Sequence, residues 1–66
     1  MPSSVIRRFD YDPEREELTI LFTTGRRYVY RRVPRAEADA FRAAFSKGRY
    51  FNAHIRDSYD YAECVA

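Results

Sequence analysis

The stretch Leu18-Thr19-Ile20-Leu21-Phe22-Thr23-Thr24-Gly25-Arg26-Arg27-Tyr28-Val29-Tyr30 decides the fold. Apolar and polar residues alternate with period two on either side of Thr23-Thr24-Gly25, the signature of two antiparallel strands joined by a tight turn. A three-residue loop with Gly25 in the left-handed position sets Ile20 opposite Tyr28 and Leu18 opposite Tyr30. Leu18, Ile20, Phe22, Tyr28 and Tyr30 then share one face. A two-residue loop would instead set Arg27 and Arg31 beside Ile20 and Leu18, at the cost of desolvating two charges. The three-residue loop is therefore expected.

Outward from this hairpin, strands are expected over Val5 to Tyr11, Glu17 to Thr23 and Arg26 to Val33, a three-stranded meander. The polar run Asp12-Pro13-Glu14-Arg15-Glu16 makes the first turn, with Pro13 presetting its backbone angle. Strict alternation in the first strand would bury Arg7 along with Phe9 and Tyr11. A bulge near Arg7-Arg8 removes that conflict by turning Ile6 inward.

After Pro34 the period lengthens. Pro34 suits a first helical turn, Glu37 and Asp39 lie near its positive end, and Ala38, Phe41 and Phe45 recur at helical spacing. Ser46 is placed to cap a second, shorter helix running to about Ile55, with Phe51 and Ile55 one turn apart and Tyr50 and His54 a neighbouring pair. The tail Ser58-Tyr59-Asp60-Tyr61-Ala62 alternates again and can add a short edge strand or lie across the sheet. The fold class is α+β: a three-stranded antiparallel meander with two short helices on one face.

With 66 residues the chain forms one domain. A domain this small buries only about 60% of its unfolded surface, so a monomer or a weak homodimer is expected. An aromatic fraction of 17%, with six Tyr and five Phe, supplies a core. No apolar run approaches the ~18 residues of a membrane span, and Met1-Pro2-Ser3-Ser4 lacks a signal-peptide apolar region, so a cytoplasmic protein is expected. Cys64 is the single cysteine and has no internal partner.

The net charge of +2 hides an asymmetry. From Arg26 to Arg56 nine bases face only Glu37 and Asp39, giving +7, whereas both flanking segments are acidic. Eleven of the twelve bases are Arg, the side chain that grips phosphate or carboxylate in a bidentate way. Codon bias in an Ala-rich chain accounts for the same preference.

The opening Ser3-Ser4-Val5-Ile6, Tyr11-Asp12, the Leu18-x-Ile20-x-Phe22 run with Gly25, Tyr28-x-Tyr30, Val33-Pro34, and above all Ser46-Lys47-Gly48-Arg49-Tyr50-Phe51-Asn52 with Ile55-Arg56 together resemble the KTSC domain, named for the C-terminal domain of some lysyl-tRNA synthetases. Members also occur as free-standing bacterial or phage proteins of this length. The resemblance covers nearly the whole chain. It implies RNA binding through the attachment to a synthetase, and it brings no catalytic residues with it.

Three features are candidates for function. Tyr28 and Tyr30 can stack on bases, although the register sets them under the helices as core residues. Arg27 and Arg31 point away from the tyrosines, with Arg26 and Arg32 near the strand ends, and such an arginine ladder on the bare sheet face can attract a phosphate backbone, or simply be a solvated outer face paired with Glu16, Glu17 or the acidic tail. Ser46, Lys47, Gly48 and Arg49 sit at a helix start where free amides favour an anion, with Asn52 and Arg56 completing the site; the alternative is a capped helix with Gly48 in tight contact with the sheet.

Catalysis and metal binding find no support. His54 and Cys64 lack a partner at any recognised spacing, and Asp57, Asp60, His54 and Cys64 form no zinc or calcium motif. A non-catalytic module without cofactor or metal is expected, most simply for RNA. The rival is a protein-interaction module, an adaptor or inhibitor using an aromatic patch around Tyr50, Tyr59 and Tyr61 or an open sheet edge.

Overall fold

The computed structural model describes residues 6–64. Strand β1 spans Ile6–Asp12, β2 Glu17–Phe22, β3 Arg27–Tyr30 and β4 Tyr61–Cys64, with helix α1 at Arg35–Ala43 and α2 at Lys47–Tyr50. A π-helical segment, Phe51–Ile55, continues directly from α2. The four strands form one antiparallel sheet in the order β1-β2-β3-β4, so the tail does become the edge strand, displaced a few residues towards the C-terminus.

The central hairpin has the expected register, with Leu18 opposite Tyr30 and Ile20 opposite Tyr28. Its turn closes through the Gly25 amide onto the Phe22 carbonyl and the Phe22 amide onto the Arg26 carbonyl, both at 2.9 Å. Gly25 has φ +93°, and a Cβ there would meet nothing within 4 Å, so the glycine is required by the backbone angle alone. Between Ile6 and Arg8 the register against β2 shifts by one residue. This bulge brings Ile6 against the core with Phe9 and Tyr11, while Arg7 and Arg8 stay exposed.

Leu18 and Ile20 from β2, Tyr30 from β3, Val33, Phe41 from α1, and Phe51 and Ile55 from the π segment make the core. Phe9 meets Phe41 edge-on at 4.7 Å, joining β1 to α1. Val33 is fully buried and held at both ends: its amide donates to the Glu16 carbonyl at 2.9 Å and its carbonyl accepts the Tyr11 hydroxyl at 2.6 Å. Glu16 and Arg32 both take positive φ, 54° and 57°, at the two bends that bring these groups together.

Two expectations are corrected. Strand β3 stops at Tyr30, because the left-handed Arg32 takes the chain out of the sheet towards α1. Phe45 is not a core residue: Ala44 turns extended at φ −64°, ψ 138°, the helix ends before another turn forms, and Phe45 is fully exposed. Among the described residues no helix is long and apolar enough to cross a membrane.

Candidate functional site

The helical layer covers the inner sheet face unevenly. Phe41 and the π segment sit over Leu18 and Ile20, and at the β3–β4 end a cleft of about 470 Å³ stays open. Its wall is a chain of rings. Phe22 meets Tyr28 at 5.6 Å and Phe51 at 5.4 Å, Tyr30 meets Phe51 at 5.4 Å, and Tyr61 lies 5.6 Å from Tyr28 and 5.3 Å from Tyr30. Tyr61 is 57% exposed, so a ring face on the edge strand remains available.

The cleft's polar groups come from two places. Thr24 and Arg26 extend from the central hairpin, and Asn52, Arg56 and Asp57 descend from the π segment and the turn after it. The Arg56 amide donates to the Phe51 carbonyl at 2.8 Å, five residues back, and this wider turn sets its geometry. Arg26 is held charged above the usual guanidinium range by the Tyr28 hydroxyl first and Glu63 second. Burial pushes the Tyr30 phenol up to about 12, and among the described residues no hydrogen bond engages its hydroxyl. An apolar floor, ring edges and two guanidinium groups can hold a flat, anionic ligand.

Of the sequence candidates, Arg26, Asn52 and Arg56 meet here, with Tyr28 and Tyr30. Arg27, Arg31 and Arg32 do not line the cleft. Arg27 pairs in register with Leu21 and Cys64 on the opposite face, while Arg31 and Arg32 lie in the segment leaving the sheet. Nor do these arginines pair with Glu16, Glu17 or the tail: among the described residues the one ion pair is Arg15–Asp12, at 4.0 Å.

The Ser46–Arg49 stretch closes on itself. Ser46 Oγ accepts from the Arg49 amide at 3.3 Å, the Lys47 ammonium donates to the Ala44 carbonyl at 2.8 Å, and Gly48 is buried. Ser46 thus serves the cap of α2 and the Lys47 ammonium the carbonyl end of the preceding turn.

The aromatic patch expected around Tyr50, Tyr59 and Tyr61 is divided. The Tyr50 and Tyr59 hydroxyls both donate to the Glu37 carboxylate, and both rings pack against the core, whereas Tyr61 belongs to the cleft. Sequence reasoning missed Asp57 and the cleft-facing part of Phe22. The usable signal was the spacing Asn52, Arg56, Asp57, which a wide helical turn places on one side.

Comparisons with known proteins place this module. The model of the KTSC domain matches residues 2–59, and the chain belongs to the KTSC domain family. It is 35% identical over 60 residues to a lysine–tRNA ligase of Nostoc punctiforme, covering 91% of this chain and 11% of that protein. The chain thus spans about a tenth of the length of the ligases it matches. An uncharacterized protein of Stutzerimonas stutzeri is 40% identical over 52 residues, 79% of this chain and 73% of its own. The crystal structure of a KTSC domain protein from Yersinia pestis superposes with a TM-score of 0.89 at 33% identity, over 98% of this chain and 92% of that one.

Proposed function

We propose that this domain is a non-catalytic module that binds single-stranded RNA in the aromatic cleft. One observation carries the reading: Arg26 and Arg56 line the same open cleft as a continuous wall of Phe22, Tyr28, Phe51 and Tyr61 rings. Bases stack on aromatic side chains whatever their sequence, and guanidinium groups take the phosphates. The excess of basic residues between Arg26 and Arg56 draws the polyanion to this part of the molecule. Similarity to a segment of lysine–tRNA ligases supports an RNA ligand. The domain works as a monomer or weak homodimer, and its exposed thiol, Cys64, fits a reducing cytoplasm.

Fluorescence-anisotropy titration with labelled single-stranded RNA, duplex RNA and tRNA, at low and near-physiological salt, tests this. Saturable binding to single strands that weakens with salt and is lost in Tyr61→Ala supports it. No binding at low salt sinks it.

One observation favours a protein-interaction module instead, the full exposure of Phe45. That reading requires a partner complex that Phe45→Ala disrupts and Arg26→Glu leaves intact.

A further inference from the structure

The cleft contains one group that a simple phosphate site would exclude. Asp57 lines it beside Arg56, and among the described residues it forms no ion pair that would neutralise it. Asp57 is exposed, and because a carboxylate repels phosphate, a ligand that also offers hydrogen-bond donors suits this cleft better than a phosphate alone. Asn52, an amide that both donates and accepts, lines the same cleft.

The backbone brings these groups together. In an α-helix, residues three and four apart share a face, which would bring Ile55 and Arg56 alongside Asn52. The i→i−5 closure from Arg56 to Phe51 widens the turn, and Ile55 stays fully buried while Asn52, Arg56 and Asp57 all reach the cleft. Such π-helical turns are rare and cluster at functional positions.

Resting on the RNA-binding reading above, we infer that the cleft reads the base it holds and prefers an unpaired guanine. The Watson–Crick edge of guanine presents two adjacent donors, the ring N1–H and the exocyclic N2 amine, and a carboxylate accepts both side by side. Adenine and cytosine offer a single exocyclic amine on that edge, and uracil a single ring N–H. Asp57 takes the two guanine donors, Asn52 serves the neighbouring carbonyl, Tyr61 stacks on the base, and Arg26 and Arg56 hold the flanking phosphates.

The test uses labelled oligouridine strands carrying one central guanine, adenine, cytosine or inosine, titrated against the whole domain and its Asp57→Asn variant at near-physiological salt. The guanine strand is expected to bind about tenfold more tightly than the all-uridine strand, the low end of what a bidentate base contact supplies. Inosine, lacking the N2 amine, loses most of that preference, and in Asp57→Asn the guanine-to-uridine ratio falls to about one. Equal affinity of the wild type for all strands, or a preference surviving Asp57→Asn, overturns guanine readout and leaves RNA binding standing. Failure of every strand to bind overturns both.

Discussion

Glu37, in the first turn of α1, accepts the hydroxyl proton of Tyr59 through Oε1 at 2.9 Å, across 22 positions of sequence. Its other oxygen accepts from Tyr50 at the end of α2, so a single carboxylate ties α1 to α2 and to the chain entering β4. Hydrogen bonds to a charged acceptor are worth about 1.5–3 kcal/mol. Glu37→Ala is therefore expected to cost about 2 kcal/mol in urea unfolding, a large share of the stability of so small a domain. Glu37→Gln keeps an acceptor and should cost less than half as much.

The same carboxylate predicts a pH dependence. Tyr50 is pushed up to about 12, first by its bond to Glu37 and then by burial; Tyr59 reaches about 12 through burial first and Glu37 second. Tyr30 reaches about 12 through burial. An unfolded tyrosine titrates near about 10. The folded chain thus retains protons that the unfolded chain releases, and this contribution is fully present below pH 10 and lost as pH rises towards 12. Thermal unfolding should show the fall, and tyrosinate absorbance should show a late-titrating group of tyrosines. In Glu37→Gln, Tyr50 and Tyr59 should titrate earlier while Tyr30 does not.

Tyr11 contributes through one bond. Its hydroxyl satisfies the carbonyl of the fully buried Val33, and Tyr11→Phe removes that donor while keeping the ring. The orphaned carbonyl should cost about 1–2 kcal/mol in urea unfolding with an unchanged m-value. An unaltered midpoint would show that water replaces the hydroxyl.

The Val33 clamp also marks where the sequence stops being legible. The central hairpin could be read from Leu18 to Tyr30 because one register buries apolar side chains and the other buries arginines, a contrast of several kcal/mol. The Ile6–Arg8 bulge was legible for the same reason. Arg32 was not: its positive φ answers to bonds made with Glu16 and Tyr11 distant in sequence, and no local pattern announces them. The cleft was half legible. Arg26, Asn52 and Arg56 stood out as bases and an amide, but the addition of Asp57 to the same side depends on a π turn, and π and α turns share the same apolar pair, Phe51 and Ile55.

Phe41 and Phe45 test how far helical spacing can be trusted. Both fit the apolar stripe of α1, yet Phe41 is fully buried and Phe45 fully exposed, because the helix ends at Ala43. Phe41→Ala should cost about 3–5 kcal/mol and leave the domain largely unfolded. Phe45→Ser should change stability by no more than about 0.5 kcal/mol in the same denaturation assay. A large loss in Phe45→Ser would mean that α1 continues and the ring is covered.

Arg26 and Arg56 are the two arginines that line the aromatic cleft, and this gives them a separable signature in the proposed RNA binding. Each phosphate neutralised on a single strand contributes about 0.7 to the slope of log affinity against log salt. Arg26→Glu with Arg56→Glu should lower that slope by at least about 1.4 and weaken binding across all sequences. The same reversal at Arg27 and Arg31, on the opposite face and beyond the end of β3, should leave the slope within about 0.5 of the wild type, since those side chains touch no strand held in the cleft. If the Arg27 and Arg31 pair carries the larger effect, the phosphate backbone runs along the outer sheet face and the cleft is not the RNA site.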